Sequence, residues 1–395
     1  MLSNFFKNYK QERAASSLVS YKTARILNAN GYDDLVNTGF KKNVIVYRCV
    51  NLISRAVASV DLVLRKATPS ALEVDEIIYS HRILNLLESP NAQQHKTSFV
   101  EAAISYLLIS GNCYIMCLKD EQNKPKELHL LRPDRVRVIP GENSIPLGYE
   151  YIVKDKTQNF YVDPETGASE ILHIKLFNPD NDWYGMSPIE VAMTSINQHN
   201  AIAKQNTAYL HNGGRPSGAL MYKSNLDSQE RGELREDLKQ LYEGGRNAGK
   251  ILLLEGDFEW KEMGLSPKDL DFTDGKEISA KEIALAFGVP GILIGSMSSA
   301  TFSNYKEARY NFWEETILPI LNLFVGEVSD WLQKIFGSSY MVSYDIDSIQ
   351  ALSNRREAEW QKINSASFLT DNEKREAFGY PAISRTDDEI GEEFE

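Results

Sequence analysis

The 395-residue sequence predicts an α+β fold built in unequal parts. Three observations predict it. Helix-period apolar stripes alternate with short β-type runs through the first 180 residues. A long, nearly uncharged helix then starts sharply at Ser187-Pro188-Ile189-Glu190. A small βαββ unit interrupts the helical second half. The hydrophobic fraction of 42% and charged fraction of 25% exclude a mainly disordered, fibrous or disulfide-dense chain.

The elements follow in order. Val44 to Ala58 has apolar residues three and four apart, a helix, and a strand follows at Leu62 to Arg65. Ser98 with Glu101 reads as a capping box, so a second helix is expected from Ser98 to Ser110, stopped by Gly111. Asn112 to Leu118 is a strand. Further strands are expected at 128–131, 135–139, 149–153 and 171–177, separated by Gly, Pro and Asn.

The helix opened by Ser187 is expected to run to about Leu210, roughly 35 Å at 1.5 Å per residue. Ile189, Ala192, Met193, Ile196, Ala203 and Leu210 form its apolar stripe, and most other positions are Asn, Gln, Thr or Ser. A solvated helix face ordinarily uses Glu and Lys, so this one suits a wet surface with little fixed charge. Gly213 to Gly218 breaks the chain before the βαββ unit: strand 219–222, charged helix 228–242, strands 251–254 and 258–263. Too small to bury much core alone, it is expected to pack on copies of itself or a partner. A helix at 275–287, with Asp274 and Glu277 as capping box, ends at Gly288-Val-Pro290. The stretch Gly291 to Ser303 is a loop of small residues, longer than a plain interhelical connection needs. A long helix resumes near Asn304, with Tyr305, Ala308, Phe312, Thr316, Ile320 and Phe324 on one apolar face. Pro319 is expected to kink it and Gly337 to close it. A strand at 341–346, a helix at 349–363 and a capped helix from Thr370 to Phe378 complete the order.

The chemistry is sparse. The formal net charge is −12, which argues against a protein that grips nucleic acid over most of its surface. Charge is uneven: residues 1–48 hold eight bases against three acids, and Asp387 to Glu395 hold six acids and no base. Three cysteines (Cys49, Cys113, Cys117) form no disulfide framework, and Cys113 and Cys117 sit on one strand, as buried thiols rather than a zinc pair. The six histidines lack metal-ligand spacing. No cofactor is expected. Neither a secretory leader nor an apolar run long enough for a membrane span is visible, and a soluble protein with no membrane partner is expected. Gly244-Gly-Arg-Asn-Ala-Gly249-Lys250 imitates a phosphate-binding loop. But Ile251 stands where Ser or Thr must hold magnesium, and the strand follows instead of preceding. Gly185-Met-Ser187-Pro188 lacks the second glycine of a nucleophile elbow, and Ser187 is already explained as a cap. Trp183 and Tyr184 suit a core or an interface. The chain reads as no enzyme.

Several local strings occur together in a fixed order: Val46-Tyr-Arg-Cys-Val-Asn51, His81-Arg-Ile-Leu-Asn-Leu-Leu-Glu-Ser-Pro-Asn91, Ser110-Gly-Asn-Cys-Tyr114 and Gly185-Met-Ser-Pro-Ile189. Gly214-Arg-Pro-Ser-Gly218, Asn247-Ala-Gly-Lys250, Phe287-Gly-Val-Pro-Gly-Ile-Leu-Ile-Gly295 and Leu369-Thr-Asp-Asn-Glu-Lys-Arg375 continue the series. In these the chain resembles the portal proteins of tailed bacteriophages and related gene transfer agents, in the compact group, from about residue 43 to 383.

The resemblance implies a homo-oligomeric ring of twelve subunits at one capsid vertex, assembled in a host bacterium, through which double-stranded DNA passes without sequence specificity. It also implies a packaging terminase, a head–tail adaptor and the major capsid protein as partners. It divides the chain into an N-terminal arm (1–43), wing (44–186), stem helix (187–211), clip (212–270), second stem helix (271–290), tunnel loop (291–303), long helix returning to the wing (304–346), and crown with acidic tail (347–395). Residues carried over are Ser296, Met297, Ser298, Ser299, Ala300, Thr301 and Ser303 toward DNA in the tunnel loop. Asn197, Asn200, Lys204 and Thr207 would face the channel from the stem, and Arg231, Arg235, Lys239 and Arg246 would serve docking at the clip. The alternative is a non-conducting, capsid-associated scaffold.

Overall fold

The computed structural model describes residues 31–66, 77–78, 80–122, 124–141, 145–211, 218–222, 227, 229–233, 236, 258–262, 272–295, 302–337 and 340–377. Two helices make the centre of the body: α1 (Val44–Ala58) and, after β1 (Leu62–Lys66), β2 (Ile77–Ile78) and α2 (Arg82–Glu88), α3 (Lys96–Ser110). α1 buries Val46, Cys49, Val50, Ile53 and Val57, one stripe at helical spacing. Each such side chain contributes roughly 1.5–3 kcal/mol on burial. Asn43 caps α1: its Oδ1 accepts from the amides of Ile45 (3.0 Å) and Val46 (3.1 Å).

Two small antiparallel sheets follow. β3 (Asn112–Lys119) is flanked by β4 (Pro125–Leu131) and β8 (Ile171–Lys175). β6 (Pro146–Val153) lies between β5 (Val136–Pro140) and β7 (Lys156–Tyr161). Tyr114, Leu131, Val136, Val138, Tyr149, Phe160, Ile171 and Tyr184 form a second, smaller core shared by these sheets. Tyr184 thus belongs to the core; its hydroxyl accepts from the Val138 amide at 3.0 Å. All three cysteines are buried, and burial pushes the Cys117 thiol up to about 11 and Cys49 to about 12.

The remaining elements are α4 (Pro188–Val191), α5 (Met193–His211), β9 (Gly218–Tyr222), β10 (Phe258–Glu262), α6 (Phe272–Ala286), α7 (Phe302–Phe312), α8 (Leu318–Phe336), β11 (Tyr340–Tyr344), α9 (Ser353–Asn364) and α10 (Asp371–Ala377). β9 and β10 pair antiparallel, Tyr222 opposite Phe258. β11 returns to β1, Leu62 opposite Tyr344, so α8 closes the body by tying its two ends together.

Five expectations are corrected. The Ser98–Glu101 box does not form: α3 starts two residues earlier after His95, Ser98 Oγ donates to the His95 carbonyl, and Glu101 takes Arg55 Nε at 2.9 Å instead. α6 likewise begins at Phe272, ahead of Asp274, and Glu277 pairs with Lys281 at 2.8 Å. The helix from Ser187 is broken once, at Ala192. β7 is a strand that the sequence hid, because Lys156-Thr-Gln-Asn-Phe-Tyr161 lacks apolar alternation. The long helix contains a π-helical turn, Trp313–Ile317, directly before Pro319. That extra residue rotates the buried stripe onto Phe312, Trp313, Thr316, Ile317, Leu321 and Phe324, and leaves Tyr305 exposed. Pro319 follows that turn two residues on, inside a continuous helix, where the wider π-turn accommodates its ring and missing N–H. The last helix is capped as expected, and the cap is a box: the Thr370 amide donates to Glu373 (2.7 Å) and the Glu373 amide to Thr370 Oγ1 (3.3 Å).

Candidate functional site

Two recognisable strings, Ser110-Gly-Asn and Gly185-Met-Ser-Pro, dock on each other to fix where the paired helices leave the body. Gly111 adopts φ +74°, and a Cβ there would lie 2.5 Å from the Gly185 carbonyl oxygen. Asn112 fills the joint. Its Oδ1 accepts from the Gly185 amide (2.8 Å) and faces His173 Nε2 (3.0 Å), while its Nδ2 donates to the Ser110 carbonyl (2.7 Å). Ser187 Oγ donates to the Leu108 carbonyl (2.9 Å) and accepts from the Ile189 amide (3.0 Å), so the cap is itself anchored in α3. His173 stacks on Tyr114, ring centroids 4.3 Å apart. Burial, with Lys175 nearby, holds its pKa down to about 3, which keeps the ring neutral at neutral pH.

From this joint α5 runs beside α6. Ile196 and Ile202 of α5 and Ile283 and Ala284 of α6 are buried, and a Cβ on Gly275 would touch Ile202. Ser195 Oγ donates to Glu282 across the pair at 2.7 Å. Asn43 reaches in from α1: its Nδ2 donates to Asn200 Oδ1 (3.0 Å) and lies 3.3 Å from His199 Nδ1. Burial, then Lys276, lowers the His199 pKa.

The four stem candidates separate accordingly. Asn197, Lys204 and Thr207 are exposed. Asn200 is half-buried and committed within the subunit, accepting from Asn43 and donating to the Thr38 carbonyl at 3.1 Å. The pattern of amides is thus partly a packing device. Lys204 is the one Asp, Glu, Lys or Arg side chain in α5. Of the docking candidates, Arg231 lies on an exposed helical stretch; Arg235, Lys239 and Arg246 lie outside the described residues, as do the Gly244–Lys250 string and the strand expected at 251–254. Of the loop candidates, Ser303 is exposed in the first turn of α7, and Ser296, Met297, Ser298, Ser299, Ala300 and Thr301 lie outside the described residues. Gly291–Ile294, expected as loop, is a 3₁₀ turn with Leu293 buried. Thr316 of the π-turn donates to the Gly288 carbonyl at 2.6 Å and so pins the end of α6 to the long helix.

Among the described residues no three His, Cys, Asp or Glu side chains gather as a metal site, and no helix is long and apolar enough to cross a membrane. The helix pair that leaves the body at this joint carries no net charge. The family described as phage portal protein matches residues 44–379. The chain belongs to that family. A protein of Rickettsia bellii is 38% identical over 351 residues, covering 88% of this chain and 89% of its own length. The portal protein of Enterobacteria phage HK97 is 25% identical over 86% of this chain and 78% of its own length. Among solved structures, the neck of a native GTA (gene transfer agent) particle computed with C12 symmetry matches with a TM-score of 0.68 and 37% identity, over 90% of this chain and 94% of that one. The portal fold therefore holds across the body and the helix pair.

Asn112, Gly111 and Asn43 were not singled out as functional from the sequence. The first two lie in a string noted for its resemblance, but nothing local says that the string packs on Gly185 across 73 residues.

Proposed function

We propose that this chain is the subunit of a portal ring of twelve copies at a capsid vertex, a conduit for double-stranded DNA and a platform for a packaging motor and a head–tail adaptor. One observation carries the reading: likeness over nine-tenths of the chain to a chain of a particle neck computed with C12 symmetry. In this reading residues 44–186 are the wing, α5 and α6 the stem, 212–270 the clip, 291–303 the tunnel loop and the segment after 347 the crown.

The charges support the same function. DNA carries one negative charge per roughly 1.7 Å of axis, and a basic channel would clamp it. α5 offers exposed Asn197, Gln198, Gln205 and Thr207 with one lysine, and segment 225–262 carries ten acids against six bases. Twelve copies at −12 each carry −144 formal charges. Such a ring does not collect DNA from bulk solution; DNA must be driven through it. The conduit is low in friction and reads no sequence. The test is Ser298→Lys with Ser299→Lys in the loop: DNA packaging or release slows. Packaging at the wild-type rate would contradict the loop assignment.

A further inference from the structure

We propose that neighbouring subunits meet through two unlike faces, the outer face of α1 in one copy against the outer face of α6 in the next. The inference rests on the ring reading above and names the surfaces that close the ring.

α1 and α6 pack on each other, and each keeps a solvent-exposed face of its own. On α1 the exposed positions are Val44 (66% exposed), Tyr47 (51%) and Arg48, one turn apart, with Lys41 and Lys42 just before the helix. α1 contains no acidic residue, and Arg55 further along is met by Glu101 of its own subunit. On α6 the outward positions are Asp274, Ile278, Lys281 and Leu285, spaced four, three and four apart. Ile278 and Leu285 are 55% and 78% exposed. Glu277 and Glu282 flank them, Glu277 paired with Lys281 and Glu282 accepting from Ser195 of its own subunit, so this face is net acidic, three carboxylates to one lysine.

Each face thus joins two exposed apolar side chains to a net charge, and the two net charges are opposite. The apolar pairs supply burial, and the charges favour one orientation and oppose like-to-like docking. Two unlike, complementary faces are what a head-to-tail ring requires; a two-fold dimer would need one self-complementary face.

The test uses the full chain in two variants, Val44→Asp with Tyr47→Asp, and Ile278→Asp with Leu285→Asp. All four positions are exposed, so circular dichroism should match wild type. Each variant alone should remain monomeric by native mass spectrometry, and an equimolar mixture should give one-to-one heterodimers through the surviving pair of faces. Rings formed by either variant, or a folded mixture that stays monomeric, would overturn the assignment while wild-type rings leave the ring reading intact. If the α1 variant still forms rings and only retains DNA less well, that basic face belongs to DNA and the proposal fails. A wild-type chain that never forms rings overturns the ring reading itself, and this proposal with it.

Discussion

Replacing Asn112 with Ala removes one side chain that serves three segments. The amide is nearly fully buried, and its loss strands the buried Gly185 N–H, the His173 ring nitrogen and the Ser110 carbonyl. A buried group left without its partner costs about 1–3 kcal/mol, and relaxation of the joint recovers part of that, so the net loss is about 2–5 kcal/mol. For a chain of this size, with an unfolding entropy of about 2.1 cal/mol/K per residue, 1 kcal/mol moves the melting temperature by roughly 1 °C, giving a fall of roughly 2–6 °C. The assay is thermal unfolding at matched concentration and oligomeric state, because ring assembly would itself raise the midpoint. A melting temperature within about 1 °C of wild type would refute the view that this joint sets the angle between body and paired helices.

Gly111→Ala should be worse than Gly167→Ala, although both glycines have positive φ (+74° and +68°). At Gly167 the new Cβ meets only the Lys334 ammonium at 4.0 Å, so the loss is about 1–2 kcal/mol of left-handed backbone cost. At Gly111 it strikes the Gly185 backbone as well; equal losses by chemical denaturation would contradict the close approach. His173, lowered by burial to about 3, is protonated more readily in the unfolded chain, whose histidine pKa is about 6.5. Stability from this group is therefore complete above about pH 6.5 and falls as pH drops toward 3, by about 1 kcal/mol per unit. His173→Gln, which can still donate to Asn112, should flatten urea-midpoint stability between pH 6.5 and 5; an unchanged slope would count against a neutral buried ring.

Much of this fold was legible because local signals and packing agreed. Gly111, Ser187, Gly337 and the Thr370 cap each act locally, and each marks an element end that the structure keeps. Ser98 failed where an earlier start buried more: α3 begins at Lys96, whose buried ammonium meets Asp61 (2.9 Å) and Glu88 (3.1 Å). The π-turn was illegible because a single inserted residue looks like ordinary helix until its buried stripe is seen to jump from Phe312 to Trp313. At the candidate site the amide-rich character of α5 was read correctly as composition. Which amide faces solvent was not, since Asn200 turns to Asn43 and Thr38 through contacts made 157 and 162 residues away.

The central claim is that this chain closes into a ring. Negative-stain imaging of the purified wild-type chain, with native mass measured on the same sample, tests it most directly. A closed ring of twelve 44.7 kDa subunits, with an axial hole that admits a DNA duplex, is expected. Monomers, open filaments or a closed particle without a hole would contradict it.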